Sequence, residues 1–224
     1  MVEGVSRERV ARIIGEWNMD APVESWADSA VGSWIALSGG APVEWTADTV
    51  AALAWAMAHD DVMDMMLVGL LHPTMGGVML KDLACGRDPY GLNRRLGSEV
   101  WGDETARPDM DMLVRVRDRL VDVSGSLPKP WDWRPLGLAA FAAYLAGDPR
   151  MSMDAHVADR AAPDAPDGMG GVNALARMVL MCLSERISPS WRRAPGVRPV
   201  PVEPEPMPVA RPSDGVLRLT VPSI

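Results

Sequence analysis

Cysteine is scarce in this chain of 224 residues, which has only Cys85 and Cys182. The two lie far apart and match neither a metal-binding spacing nor a redox motif. This excludes a disulfide-stabilised scaffold and a cysteine-ligated metal site, and it fits a reducing compartment. Cys182 falls on the apolar face of a predicted helix, where a free thiol behaves as a small hydrophobic side chain.

Long apolar segments are also absent. The longest uncharged one, residues 135–147, is too short to cross a bilayer. The opening MVEGVSRERV has no apolar core of signal-peptide length. Because hydrophobic residues make up 48% of the chain, a wholly disordered protein is excluded as well. We expect a soluble cytoplasmic protein with a sizeable core and no membrane contact.

Basic residues are missing from one block of the chain. No Lys or Arg lies between Ile13 and Leu80, whereas nine acidic residues lie between Glu16 and Asp64. The net charge of −8 comes from this block, since the remaining charges nearly balance. Such a field disfavours direct contact with nucleic acid and favours a basic partner. A solvated acidic surface that only keeps the protein soluble is the simpler alternative.

Methionine and tryptophan are abundant instead, with 16 and 9 residues, against two Tyr and one Phe. Only Lys81 and Lys129 among the 22 basic residues are lysines. This composition suggests a high-GC coding bias, as in actinobacteria or their phages. Most tryptophans stand at helix starts or turns, so we expect them to pack at helix junctions rather than to form a ligand cage. They include Trp45, Trp131, Trp133 and Trp191.

Helical periodicity and helix-end signals recur along the chain. Residues 18–40 fit either a short helix or an extended segment, and residues 74–107 fit only short helices. The clearer predicted helices cover residues 1–16, 46–71, 135–146 and 150–161, and the one from 46 to 71 has Thr46 as its N-cap. Another helix opens near Pro108, with Asp111 and Arg115 paired on its solvent-exposed face. The last one carries an apolar stripe over residues 175–183.

These patterns predict a mainly α-helical domain of six or more helices over residues 1–194, with a division near residue 108 left open. Residues 195–224 form a separate tail. Its seven prolines between Pro195 and Pro212 predict an extended spacer. The terminal segment 215–224 alternates enough to form a strand that docks on a partner, or it packs back on its own domain.

One constellation resembles a metal site. His59, Asp60 and Asp61 stand next to each other, with Asp64 and His72 downstream. Consecutive helical positions do not converge on one ion, so an exposed helix face is the favoured interpretation and a metal-dependent hydrolase the alternative.

Other catalytic signatures are missing from the sequence. The Asp167–Gly171 loop reads as a flexible turn before an Asn173 cap, because no strand precedes it and no Lys-Ser or Lys-Thr follows it. There is no nucleophile elbow. We therefore assign no catalytic, cofactor-binding or metal-ligating residue, and we predict that the protein is not an enzyme.

Residues from about 43 to 191 resemble the C-terminal part of the DUF4192 family, actinobacterial proteins of unknown function. The resemblance lies in the helix 50–71, in the segment LVDVSGSLPKPWDWRPLGLAAFAAYLAGD (120–148) and in LARMVLMCLSERISPSW (175–191). This chain lacks the family's further N-terminal region, and it has Pro149 where members have a second glycine. The resemblance implies a helical fold and carries over no site residue.

The helices after residue 130 predict tetratricopeptide-like hairpins, which offer grooves to other proteins more often than they catalyse reactions. We therefore predict a cytoplasmic protein-interaction or regulatory module, acting in the host cytoplasm if it is phage-encoded and host-directed. A second hypothesis is an acidic inhibitor that engages a basic or DNA-binding partner through residues 16–64. In both cases the expected partner is a protein.

Overall fold

The structure is a computed structural model, and it describes residues 2–16, 27–102, 108–161 and 173–192. In these residues there are ten α-helices and no β-strand, so the predicted all-α class is confirmed. A short 3₁₀ turn, Ser190–Arg192, follows the last helix. The helices are α1 (Arg7–Glu16), α2 (Ala27–Ser38), α3 (Ala47–Ala56), α4 (Asp60–Leu71), α5 (Gly77–Ala84), α6 (Leu92–Trp101), α7 (Met110–Ser126), α8 (Trp133–Ala146), α9 (Met151–Ala161) and α10 (Ala174–Ser184).

The prediction of one long helix from Thr46 to Leu71 is wrong, because the structure has two helices, α3 and α4, over these residues. Thr46 does cap α3: its Oγ1 accepts the Thr49 N–H at 3.1 Å, and the Thr49 hydroxyl accepts the Thr46 N–H at 2.8 Å. However, α3 ends at Ala56, and His59 adopts an extended conformation before α4 begins. Arg134, from α8, donates to the Met57 carbonyl at 2.8 Å and so satisfies the end of α3.

Helix α7 opens near Pro108 as predicted. Asp109 is its N-cap, with its carboxylate accepting the Met112 N–H at 2.9 Å, so Pro108 lies just before the helix. At its other end, α7 continues to Ser126. The Ser126 hydroxyl accepts the Val2 N–H at 2.7 Å, which ties the N-terminal segment to this last turn.

Helix α8 is the central element of the C-terminal half and packs against α7, α9 and α10. It ends at Gly147, which has φ +71°, as the Gly-Asp pattern predicts. Asn173 caps α10 as predicted and also donates to the Trp133 carbonyl at 2.8 Å. Gly137 of α8 lies directly against the Asn173 amide, where a side chain would clash, so these two helices meet closely.

A buried ion pair joins α7 to α9. Arg117 donates to Asp154 through Nε at 2.7 Å and through Nη2 at 2.6 Å, a bidentate geometry. Both side chains are more than nine-tenths buried. Asp118 extends the network to the surface, because it lies 2.7 Å from Arg117 and 3.0 Å from Arg150. Because each buried charge is paired, the network holds α9 in one position on α7.

One hydrophobic core cluster includes residues from both sides of residue 108, from Val2 to Cys182. Cys182 is fully buried in it, as expected for a small apolar side chain. The Trp101 indole on α6 donates to the Tyr144 hydroxyl on α8 at 3.1 Å, which links the two halves directly. The division near residue 108 and the tetratricopeptide-like arrangement stay predictions, and the tail 195–224 lies outside the described residues.

Candidate functional site

Four carboxylates gather where α4 begins. Asp60 and Asp61 occupy its first turn, where acidic side chains interact favourably with the helix dipole. Asp64 lies one turn later and is half-buried. Asp88, from the α5–α6 connection, caps α6 by accepting the Leu92 and Asn93 N–H groups at 2.8 and 2.9 Å. We call Asp60, Asp61, Asp64 and Asp88 the acidic cluster.

Negative charge in the acidic cluster is poorly compensated. Burial raises the pKa of Asp64 to about 7, and the neighbouring carboxylates Asp61, Asp60 and Asp88 add to the effect. Burial and Asp60 also raise the pKa of Asp61. Among the described residues, Arg134 is the cation that pairs with this cluster, with its Nη1 3.6 Å from Asp60. Such a site binds a further cation more readily than it binds an anion.

The two histidines of the predicted metal constellation lie apart and do different things. His59 stands between α3 and α4 beside Trp55, with ring centroids 5.5 Å apart, and burial lowers its pKa. His72 ends α4, and its Nε2 lies 2.8 Å from Glu99 of α6. Within the described part of the chain, no three His, Cys, Asp or Glu side chains come together to hold a metal ion.

A second feature is a cleft of about 340 Å³ between α2, the α4–α5 connection and α7, which we call the α2–α7 cleft. Its wall is mixed: apolar side chains alternate with the polar or charged side chains of Ser38, His72, Thr74, Asp109 and Arg115. The lining side chains include Trp34, Ile35, His72, Met75, Leu80, Asp109, Met112 and Arg115. Its size and its mixed wall are typical of small-molecule sites.

Arg115 is the unexpected residue of this cleft. The periodicity of α7 predicts a surface pair with Asp111, but the side chain turns into the cleft instead. Its Nε is fully buried, and within the described residues Arg115 makes no hydrogen bond and no ion pair. A buried guanidinium N–H without a partner is rare, because the desolvation cost is not repaid. Sequence spacing contains no signal for this orientation.

Arg119, one turn later on α7, differs from Arg115 because both of its Nη groups donate hydrogen bonds to backbone carbonyls. Its Nη1 donates to the carbonyls of Ala36, Leu37 and Gly39 at 2.9, 2.7 and 2.7 Å, and its Nη2 donates to Ala41 at 2.7 Å. These groups belong to the C-terminal end of α2 and the residues after it. Burial and the neighbouring Arg115 lower the pKa of Arg119, so the two positive charges are close enough to interact.

Trp34 forms the apolar floor of the cleft because α4 has a glycine beneath it. A Cβ on Gly69 would lie 2.6 Å from the Trp34 indole nitrogen, so only glycine allows this contact. Of the four tryptophans predicted to pack at helix junctions, Trp45, Trp131 and Trp191 are partly buried against the core. Trp133 is half-buried at the start of α8, with the Arg134 guanidinium 5.1 Å from its ring centroid. The Asp167–Gly171 loop lies outside the described residues.

Comparison with known proteins returns no counterpart: no family model, no curated protein and no solved structure matches the chain. A separate finding concerns membranes. None of the helices in the described ranges has the length and apolar character needed to span a bilayer. The possible roles of this protein therefore have to be argued from its own geometry.

Proposed function

We propose that this protein is a protein-interaction module that binds a basic segment of its partner through the acidic cluster. The observation that carries the proposal is the accumulation of Asp60, Asp61, Asp64 and Asp88 around the start of α4, with Asp60 and Asp61 exposed. Burial, followed by the three neighbouring carboxylates, raises the pKa of Asp64 to about 7. A partner's Lys or Arg placed here gains attraction from several carboxylates at once. The proposal includes the more specific hypothesis of an acidic inhibitor.

The exposure of acidic side chains supports a macromolecular partner. Asp60 and Asp61 are exposed, so a partner can reach them, and Asp28, Glu44 and Asp48, which lie on α2 and around the start of α3, are exposed too. Several of these acids have at most one cation nearby: Asp48 lies 3.8 Å from Arg9 and Asp28 lies 2.8 Å from Lys81. Such a field increases the association rate with a basic protein and makes it depend on salt.

The remaining hypotheses have less support. A metal-dependent hydrolase around His59 requires converging ligands, and the described residues offer none there. Action in a reducing cytoplasm is supported by the two free cysteines, Cys85 and Cys182. Membership of the DUF4192 family and a phage-encoded, host-directed role are proposals that rest on sequence resemblance and composition.

The test is affinity purification from an actinobacterial lysate with quantitative mass spectrometry, followed by binding assays with each recovered protein. The key variant carries Asp60→Asn, Asp61→Asn and Asp64→Asn. The matched control neutralises three exposed acids elsewhere, Glu3→Gln, Asp111→Asn and Glu185→Gln, and so has the same net charge. Each exchange preserves side-chain size.

We expect the wild type and the control to retain a basic partner that the cluster variant loses, with binding that weakens as salt increases. Equal recovery by all three proteins would contradict the proposal. So would a partner whose binding does not change with ionic strength. Melting temperatures of the three proteins establish that a loss of binding is not a loss of folding.

A further inference from the structure

The α2–α7 cleft contains an unused positive charge. Arg115 reaches into it from α7 with a buried Nε that has no partner in the described part of the chain. The adjacent Arg119 directs both of its Nη groups to carbonyls at and beyond the end of α2 and does not line the cleft, so it adds positive potential without contacting a ligand there. An unpaired guanidinium in a partly enclosed space is a group arranged for an anion.

We propose that the α2–α7 cleft binds a small organic monocarboxylate whose carboxylate pairs with Arg115 and whose apolar body fills the remaining space. A guanidinium offers two Nη groups side by side, which match the two oxygens of a carboxylate. The Nε of Arg115 is covered by the protein, so the two Nη groups are the ones that a ligand in the cleft can reach. This site is separate from the acidic cluster, and the inference does not depend on the proposed protein partner.

The side chains that line the α2–α7 cleft indicate which chemical groups the rest of the ligand carries. Trp34, Met75, Leu80 and Met112 give the cleft an apolar wall, which favours an alkyl or aryl group over a sugar. Ser38 and Thr74 add hydroxyl groups, and that of Ser38 already donates to the Trp34 carbonyl at 2.8 Å. At roughly 30 Å³ per water-sized group, 340 Å³ holds about ten such groups. The ligand is therefore about the size of a medium-chain or aryl-substituted acid.

The charged side chains in and beside the cleft determine which net charge of the ligand is favoured. Asp109 also lines the cleft, although one of its oxygens is used on the Met112 N–H. His72 lies 2.8 Å from Glu99, which brings a second carboxylate near the opening. One unpaired cation beside two carboxylates favours a single negative charge and disfavours a dianion such as phosphate.

The experiment is NMR titration of the full chain labelled with ¹⁵N, following the arginine Nε–H signals. Octanoate and 4-phenylbutyrate are the carboxylate probes. Octanamide and 4-phenylbutyramide have the same body without the charge, and inorganic phosphate tests for any anion. N-acetyl-leucine tests whether the carboxylate belongs instead to the end of a peptide. Arg115→Gln identifies the Arg115 signal by its disappearance.

We expect at least one carboxylate probe to shift the Arg115 Nε–H signal, its amide to bind about tenfold or more weakly, and Arg115→Gln to reduce affinity by a similar factor. Tighter binding of N-acetyl-leucine than of the free acids would assign the site to peptide ends and keep the carboxylate chemistry. Equal binding of acids and amides, preference for phosphate, or no binding at millimolar concentration would overturn the proposal.

Two controls separate recognition from folding. Arg94→Gln removes an exposed arginine of α6 and should leave the titration unchanged. Arg115→Gln should change the melting temperature little, because the Arg115 side chain makes no hydrogen bond or ion pair with the described residues that the substitution would remove. A clear drop in melting temperature for Arg115→Gln, with binding unchanged, would show instead that Arg115 has a structural role.

Discussion

At the scale of single residues, Asp64 links proton binding to stability. Burial and three neighbouring carboxylates raise the pKa of Asp64 to about 7, whereas the unfolded chain releases this proton near pH 4. Between these values the folded state holds more protons than the unfolded state does. The contribution of Asp64 to stability therefore declines as the pH rises from about 4 to about 7, and it is constant above that.

Asp64→Asn should remove this decline, because an amide resembles the protonated acid at every pH. The free energy of unfolding of the variant should exceed that of the wild type by an amount that grows from pH 4 to pH 7. We expect about 2 kcal/mol of growth, discounted for partial solvent screening. Urea denaturation at pH 4, 5.5, 7 and 8 measures it, with the exposed Asp111→Asn as control. Parallel pH curves for Asp64→Asn and wild type would contradict the assignment.

At the scale of elements, Arg119 determines how α2 ends. Its guanidinium donates to four carbonyls at and beyond the C-terminal end of this helix, where unpaired carbonyls and the helix dipole both favour a cation. Helices α2 and α7 pack against each other at this point. The same contact forms one wall of the α2–α7 cleft, so Arg119 helps to shape the cleft although it does not line it.

Arg119→Met should lower the free energy of unfolding by about 2 kcal/mol, since several charged hydrogen bonds disappear together. Arg119→Lys should recover only part of this, because one ammonium group cannot reach all four carbonyls. Chemical denaturation measures both variants, and Arg94→Met is the control at an exposed position. If Lys restored full stability, a single point charge near the dipole would be the main effect and the fork geometry would not matter.

Local signals predicted the helix ends that depend on neighbouring residues. Thr46 before α3, Gly147 after α8 and Asn173 before α10 all act as the sequence indicates. The break between α3 and α4 could not be predicted, because it depends on Arg134, which comes from a helix far along the chain. A continuous apolar pattern cannot show where a distant side chain satisfies a carbonyl.

The acidic cluster and the α2–α7 cleft also differ in how far neighbouring residues could predict them. The acidic cluster was visible as neighbouring aspartates at 60, 61 and 64, although Asp88 joins them only through the fold. The α2–α7 cleft was not visible, because helical spacing pairs Arg115 with Asp111 and contains no information about a space between α2 and α7. Sequence periodicity describes one helix at a time, and this cleft lies between three segments.

At the scale of the whole molecule, Tyr144 connects the two halves of the chain. Its hydroxyl accepts the Trp101 indole N–H at 3.1 Å and donates to the Ile187 carbonyl at 3.2 Å. Tyr144 is almost fully buried, and burial raises its pKa above the ordinary value, so it stays protonated and can donate. The three partners lie on α6, on α8 and after α10, and they belong to regions that share one core cluster.

Tyr144→Phe should therefore destabilise the molecule as one unit. It leaves a buried N–H and a carbonyl without their partner, at a cost of about 1–3 kcal/mol. Hydrogen exchange under native conditions should show the protection of amides in α3 and in α8 falling by the same free energy, because both open through global unfolding. Tyr90→Phe, at the exposed second tyrosine, should change neither. Loss of protection in α8 alone would indicate that residues before and after 108 unfold separately, as a division near residue 108 would require.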